Sequence, residues 1–330
     1  RRMNRLLQGD VGAGKTLVAL MAALVAVEAG GQAVLMAPTE ILARQHARAL
    51  EPLARAAGVR LAALTGRDKR DLRGQILTDL ADGTIDILVG THAVFQKDVT
   101  FHDLRLAIID EQHRFGVAQR LELSAKGDVP PDMLIMTATP IPRSLALSQY
   151  GDLDLSVLDE KPPGRQPITT VMIADTRLDQ VTERLRAAMA QGARAYWVCP
   201  LVEESEVTDL TAAEARFTHL RAIFGDRVRL IHGQMPPDQR DAAMADFADG
   251  TAQLLVATTV IEVGVDVPQA TIMVIERAES FGLAQLHQLR GRVGRGAGAS
   301  TCLLMYHGPL NETGARRLTT LRDTEDGFRI

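Results

Sequence analysis

Gly9-Asp10-Val11-Gly12-Ala13-Gly14-Lys15-Thr16 fits G-x-x-x-x-G-K-[ST], the loop that cradles nucleotide phosphates. Its reading decides the fold, because such a loop works only between a strand and a helix. The short apolar run Leu6-Leu7 precedes it and a helix-like run, Leu17 to Ala29, follows. Gly9, Gly12 and Gly14 allow a tight turn whose backbone N–H groups converge on phosphate oxygens, with Asp10 and Ala13 completing the cradle. The helix adds the positive end of its dipole. Lys15 reaches the β- and γ-phosphates, and Thr16 offers a hydroxyl to Mg²⁺. The competing reading is an ordinary Gly-rich turn before a helix. It does not account for eight positions in register between the right flanks.

Working outward, short aliphatic runs alternate with helix-length amphipathic segments, the pattern of a parallel sheet with helices on both faces. Strands are expected at Arg5–Leu7, Ala33–Met36, Leu61–Leu64, Ile85–Val89, Leu106–Ile109 and Met133–Thr137. Helices are expected near Lys15–Ala29, Glu40–Ala57, Lys69–Asp82, Val117–Lys126 and Pro142–Tyr150. Asp159 to Pro167 is charged and rich in Pro and Gly, so it reads as a linker. A second series follows, with strands at Thr169–Ile173, Ala195–Cys199, Val228–Ile231, Gln253–Ala257, Thr271–Ile275 and Thr301–Met305. Its helices fall at Arg177–Gln191, Thr211–Phe224 and Gln239–Asp249. The chain thus predicts two tandem α/β domains, 1–158 and 168–330, joined by 159–167.

Composition sets limits. The 330 residues carry a formal net charge of −4, so bulk charge gives no argument for nucleic-acid binding. The two cysteines, Cys199 and Cys302, sit in apolar runs and read as reduced core residues rather than a disulfide or metal site. No run is long enough to span a bilayer, and no signal peptide is visible. The chain opens at Arg1-Arg2-Met3 almost inside its first strand and closes at Gly327-Phe328-Arg329-Ile330 without a stop signal, so it reads as the core of a longer protein.

A phosphate loop alone says only "nucleotide". Leu106 to Ile109 is an apolar strand followed by Asp110-Glu111-Gln112-His113. Asp110, at a strand's carboxyl end, would hold Mg²⁺ through water, and Glu111 would orient or deprotonate the attacking water. Thr137-Ala138-Thr139-Pro140 follows another strand. With Gln112 and His113, the hydroxyls of Thr137 and Thr139 could sense the γ-phosphate and relay its loss. Pro38-Thr39 and Thr91-His92 open helix-like or turn segments where amides and hydroxyls could hold phosphodiester oxygens without reading sequence. Helix capping alone would also explain those two pairs.

In the second domain, Gln288, Arg290, Arg292 and Arg295 are interleaved with glycine. Arg292 and Arg295 are three apart, so they share a helix face or a turn. A guanidinium aimed at the γ-phosphate stabilises transition-state charge. Thr258 and Thr259 are candidate backbone contacts to nucleic acid. Asp266 could bind the ribose or one of the arginines. His232 ends another strand and could touch a phosphate, though singly it reads as a loop histidine.

Taken in order, these elements resemble the superfamily 2 helicase and translocase core. Gly9–Thr16 is its Walker A and Asp110–His113 its Walker B. Thr137–Thr139 is its Thr-Ala-Thr element. Thr258–Asp266 and Gln288–Arg295 are its fifth and sixth motifs. Within that group, Arg5–Thr16, Asp110–Val117 and Met136–Leu145 are most similar to the RecG family of bacterial branch-migration helicases. The transcription-repair coupling factor shares several phrases, but there a Glu is expected at Gln112 and a Gln at His113. The resemblance implies two RecA-like domains with ATP and Mg²⁺ bound in the cleft between them. It also implies translocation on duplex DNA, fork regression and Holliday-junction migration. Partners would be branched or forked duplex DNA and single-stranded DNA-binding protein, for a monomer in the bacterial cytoplasm, associated with the nucleoid. An N-terminal wedge domain, an upstream adenine-binding glutamine and most of a C-terminal coupling segment, all family parts, are not found in these residues. A duplex translocase of the coupling-factor type and a nucleotide-gated binding module remain alternatives at this point. An RNA-directed unwinder does too, since no base-reading element separates DNA from RNA.

Overall fold

The computed structural model describes residues 2–9, 12–66, 70–110, 129–137, 153–160, 166–200, 206–258, 267, 269–294, 296 and 298–324. The chain divides into two compact units, Arg1–Glu160 and Lys161–Ile330.

The first unit is built on a seven-stranded sheet in the order β3-β4-β2-β5-β6-β1-β7. The strands are β1 (Asn4–Gly9), β2 (Gln32–Met36), β3 (Leu61–Leu64), β4 (Ile87–Gly90), β5 (Leu104–Ile109), β6 (Asp132–Thr137) and β7 (Asp154–Leu158). Every pairing is parallel. Parallel strands leave neither face to water, so successive residues of one strand enter different cores. In β2, Ala33 and Leu35 pack on the side of helices Lys15–Glu28 and Glu40–Ala56, while Val34 and Met36 pack on the side of helix Arg70–Ala81. In β5, Leu106 and Ile108 face the first side, and Ala107 and Ile109 the second.

Helix Glu40–Ala56 starts because Thr39 is extended and its Oγ1 accepts the Leu42 N–H at 3.3 Å. Glu40 in its first turn and Arg55 in its last complement the dipole. It runs on through Pro52.

The second unit carries a six-stranded parallel sheet in the order β10-β11-β9-β12-β13-β8. Its strands are β8 (Ile168–Ala174), β9 (Arg194–Val198), β10 (Val228–Ile231), β11 (Leu254–Ala257), β12 (Ala270–Ile275) and β13 (Ser300–Tyr306). Helices Leu178–Ala190 and Glu206–Phe224 cover one face. Helices Pro237–Asp249, Leu283–Arg290 and Glu312–Asp323 cover the other. Neighbouring residues Tyr196 and Trp197 fill opposite cores, and Tyr196 packs against Phe247 in a tilted arrangement with ring centroids 4.9 Å apart.

Both units are therefore α/β with mostly parallel sheets, as the alternating pattern predicts. Among the described residues, one strand and two α-helices went unread. Strand β7 has only half-buried and exposed residues because it lies at a sheet edge, so it lacks the apolar run of a central strand. Helix Leu283–Arg290 is masked by its glutamines and histidine. Helix Glu312–Asp323 buries only Gly314, Leu318 and Leu321, so its apolar stripe is thin. Helix Glu206–Phe224 also starts before the expected Thr211. The expected helices at 117–126 and 142–150 lie outside the described residues.

Candidate nucleotide site and nucleic-acid edges

The loop after β1 has the backbone its sequence demands. Gly12 and Gly14 have φ of 86° and 89°, in the left-handed region that side chains avoid. Gly14 is the N-cap of helix Lys15–Glu28. Being glycine, it offers the N–H groups of the first turn no side-chain acceptor, and that turn holds no carboxylate. An uncapped, uncompensated helix start is the condition under which backbone amides bind an anion. Gly9 is needed for a different reason. A Cβ there would lie 2.9 Å from the Cβ of Leu158 on β7 and 3.3 Å from that of Ala13. The half-buried Lys15 donates from Nζ to the Gly9 carbonyl at 2.6 Å, so its ammonium is held over the loop. Thr16 is half-buried beside it. This cradle fits a nucleotide's phosphates.

Asp110 lies at the carboxyl end of β5, two strands from β1 across β6, roughly 10 Å at normal strand spacing. Thr137 ends the intervening strand and is buried. Gly9, Thr137 and Asp110 thus stand on three consecutive strand ends, where open α/β sheets bind ligands. The Asp110 N–H donates to Met36 O at 2.9 Å, anchoring it to the end of β2. Its side chain is buried and paired. Asp110 Oδ2 lies 2.7 Å from Nε2 of His46, with both side chains 10 % exposed. Sequence reading missed His46. The signal was available: it stands on the buried stripe of helix Glu40–Ala56 with Ala43, Leu50 and Ala54, where an apolar residue is expected.

The candidate nucleic-acid contacts of this unit come together because β2 and β4 are neighbours. Pro38-Thr39 follows β2 and Thr91-His92 follows β4, and the Ala37 N–H donates to Gly90 O at 2.8 Å between them. Thr39 spends an acceptor lone pair on its cap, whereas Thr91 makes no such bond to the short helical turn His92–Phe95. His92 is exposed. Glu40, Arg44 and the buried Thr65 are interlinked: Arg44 donates to Glu40 at 2.9 Å and to Thr65 Oγ1 at 3.0 Å.

In the second unit, His232 and Thr258 follow the adjacent strands β10 and β11, and the Thr258 N–H donates to Ile231 O at 3.2 Å. Burial holds the His232 imidazole below its ordinary pKa against the opposing pull of Glu214. Its Nδ1 is buried with no hydrogen-bond partner among the described residues. Thr258 is itself buried, so its side chain is not presented at the surface of this unit.

The arginine-rich segment divides by role. Helix Leu283–Arg290 ends before Arg292, so Arg292 sits in a turn rather than on a helix, its N–H donating to Leu289 O at 3.0 Å. Arg292 and Gln288 are half-buried. Arg290 is 2 % exposed and inward: it donates to the carbonyls of Leu321 and, at 2.8 Å, Thr324. Asp10, Glu111, Gln112, His113, Thr139, Thr259, Asp266 and Arg295 lie outside the described residues. Cys199 and Cys302 are buried free thiols, and burial pushes Cys302 up to about 12. No cluster of metal-ligating side chains and no helix long and apolar enough to cross a membrane occurs among the described residues.

Comparison with known proteins agrees with this layout. Residues 1–147 match the DEAD/DEAH box helicase family and residues 177–297 the helicase conserved C-terminal domain. The chain is 54 % identical over 333 aligned residues to the ATP-dependent DNA helicase RecG of Escherichia coli K12, and 50 % identical over 331 to that of Bacillus subtilis. These alignments take in 99 % and 100 % of this chain but 48 % of each relative, so the chain spans about half the length of the curated relatives it matches. A solved structure of RecG bound to a three-way DNA junction superposes on 100 % of this chain and 43 % of its own, with a TM-score of 0.85 and 44 % identity. With both helicase domains in order and this likeness along its whole length, the chain belongs to the RecG family of superfamily 2 helicases.

Proposed function

We propose that this chain is the ATP-driven motor of a DNA helicase that moves on duplex DNA, remodels stalled forks and branch-migrates Holliday junctions. The observation that carries the reading is the uncapped, glycine-lined helix start at Gly14-Lys15, on the strand two places from that of Asp110, in a chain half-identical to ATP-dependent DNA helicases. The backbone of 12–16 and Lys15 bind the phosphates. Thr16 and Asp110 would hold Mg²⁺, which would supply charge neutralisation at the phosphates. Glu111 orients or deprotonates the attacking water, and Arg292 and Arg295 supply guanidinium charge as the γ-phosphoryl leaves. Gln112, His113, Thr137 and Thr139 respond to its loss. Asp10, Gln288 and Asp266 complete the nucleotide contacts.

DNA is gripped through its phosphates by the edge formed by Pro38, Thr39, Thr91 and His92, and by His232 and Thr259, while the buried side chain of Thr258 makes no such contact. Alternation between nucleotide-bound and released states moves these grips along the duplex. The partner structure is forked DNA, the class of ligand carried by the RecG structure. A monomeric state, single-stranded DNA-binding protein as a second partner and the bacterial cytoplasm complete the proposal.

ATP turnover on single-stranded DNA, linear duplex and a three-way fork tests it. The expected order places the fork first. Equal stimulation by linear duplex would favour a coupling-factor type of translocase. The absence of stimulation by any DNA would remove the motor reading.

A further inference from the structure

A histidine on the buried stripe of helix Glu40–Ala56 calls for a partner, since a polar ring sealed in a core without one is costly. Its partner is the carboxylate that the proposed function assigns to Mg²⁺. The parity of β5 explains the meeting. Asp110 shares the face of Leu106 and Ile108, which is the face covered by this helix. An ionised carboxylate only accepts, so His46 Nε2 carries the proton and donates at 2.7 Å. That bond engages Oδ2 and sets the direction in which Oδ1 points.

The same helix begins at the nucleic-acid edge. Thr39 caps it, and His46 lies seven positions on, two turns or about 10 Å along the axis. The first turn is braced, with Glu40 and Arg44 both bonded to the buried Thr65 beyond β3. One rigid element therefore has a candidate DNA contact at its start and a hydrogen bond to the metal-holding carboxylate two turns later.

We propose that His46 is a positioning residue: it orients the Asp110 carboxylate for the Mg²⁺–nucleotide complex and makes that orientation depend on the helix whose first turn contacts DNA. This rests on the assignment of Asp110 to Mg²⁺. Residues that orient a metal's ligands typically change its affinity by roughly 10- to 100-fold when removed.

The test is Mg²⁺ titration of fluorescent ATP-analogue binding, with and without forked duplex, for wild type, His46→Ala, His46→Asn and His46→Gln. Hydrolysis need not be measured. His46→Ala should raise the Mg²⁺ midpoint about tenfold while leaving Mg²⁺-free nucleotide affinity unchanged. His46→Gln, whose amide reaches about as far as Nε2, should restore the wild-type midpoint, and the shorter His46→Asn should not. Forked DNA should lower the midpoint in wild type but not in His46→Ala. If the hydrogen bond served the core alone, its loss would lower thermal stability equally with and without Mg²⁺–nucleotide and leave the midpoint in place. A midpoint within twofold of wild type in His46→Ala overturns the proposal. If that variant does not fold, equal midpoints for the Asn and Gln variants overturn it. Lys15→Ala separates the two levels: if it binds nucleotide as wild type does, the nucleotide-site assignment fails rather than the role of His46.

Discussion

Lys15 and Arg292 are both half-buried cations beside glycine-containing turns, but their expected contributions differ in kind. Lys15 donates to the Gly9 carbonyl, a loop contact outside both hydrophobic cores. Lys15→Ala should therefore leave folding stability within about 0.5 kcal/mol and abolish nucleotide binding and turnover. Arg292 is proposed to act on charge that develops only as the γ-phosphoryl leaves. Arg292→Ala should keep nucleotide affinity and lose roughly 10³-fold in turnover. Stopped-flow binding and steady-state hydrolysis separate the two. Equal loss of affinity and turnover in Arg292→Ala would make that residue a ground-state or structural contact. His232 shows a further distinction at this scale. Burial disfavours its charged form, whereas a phosphate beside it would favour that form, so phosphate contact and protonation of the ring would be linked.

At the scale of elements, helix Leu283–Arg290 is only 8 residues long and would not persist alone. Three ties hold it. Leu286 and Leu289 enter the core, Gln285 accepts the Gly282 N–H at 3.0 Å, and Arg290 bonds the carbonyl end of helix Glu312–Asp323. Those carbonyls are among the ones a helix leaves unsatisfied, so a buried guanidinium serves as their cap. Arg290→Ala should destabilise the second unit by about 1.5–3 kcal/mol in urea denaturation, whereas Arg292→Ala should not. A loss below about 0.5 kcal/mol would show that water replaces the guanidinium there. By sequence, Arg290 and Arg292 are two similar members of one basic motif. Only the location of the helix end separates a structural cation from a candidate for chemistry.

At the scale of the molecule, the two units have separate sheets and separate hydrophobic cores. The phosphate cradle belongs wholly to the first, since β1, β7 and the helix start at Gly14 all lie before Glu160. Expressed alone, residues 1–160 should fold and bind ADP, and residues 161–330 should fold without binding it. Circular dichroism and nucleotide fluorescence would check both, and failure of the first piece to fold would show that its core needs the second. Turnover should require the two together, because the proposed arginines and the phosphate cradle lie in different units.

Much of this was legible in the amino-acid order. Local rules suffice where the signal is local: glycine spacing for a left-handed turn, short aliphatic runs for strands buried on both faces, and an apolar stripe for helices. They placed the phosphate loop, the α/β class and twelve of the strands, and they marked Asp110 as the carboxylate at a strand end. What they could not supply is adjacency between distant segments. That Gly9 must lack a Cβ because of Leu158, that Pro38-Thr39 and Thr91-His92 share an edge, and that His46 meets Asp110 across the face of β5 all follow from strand order and register. A chain encodes its own turns through nearest neighbours, but which buried polar group finds which partner is decided only when separate elements pack and every such group must be satisfied.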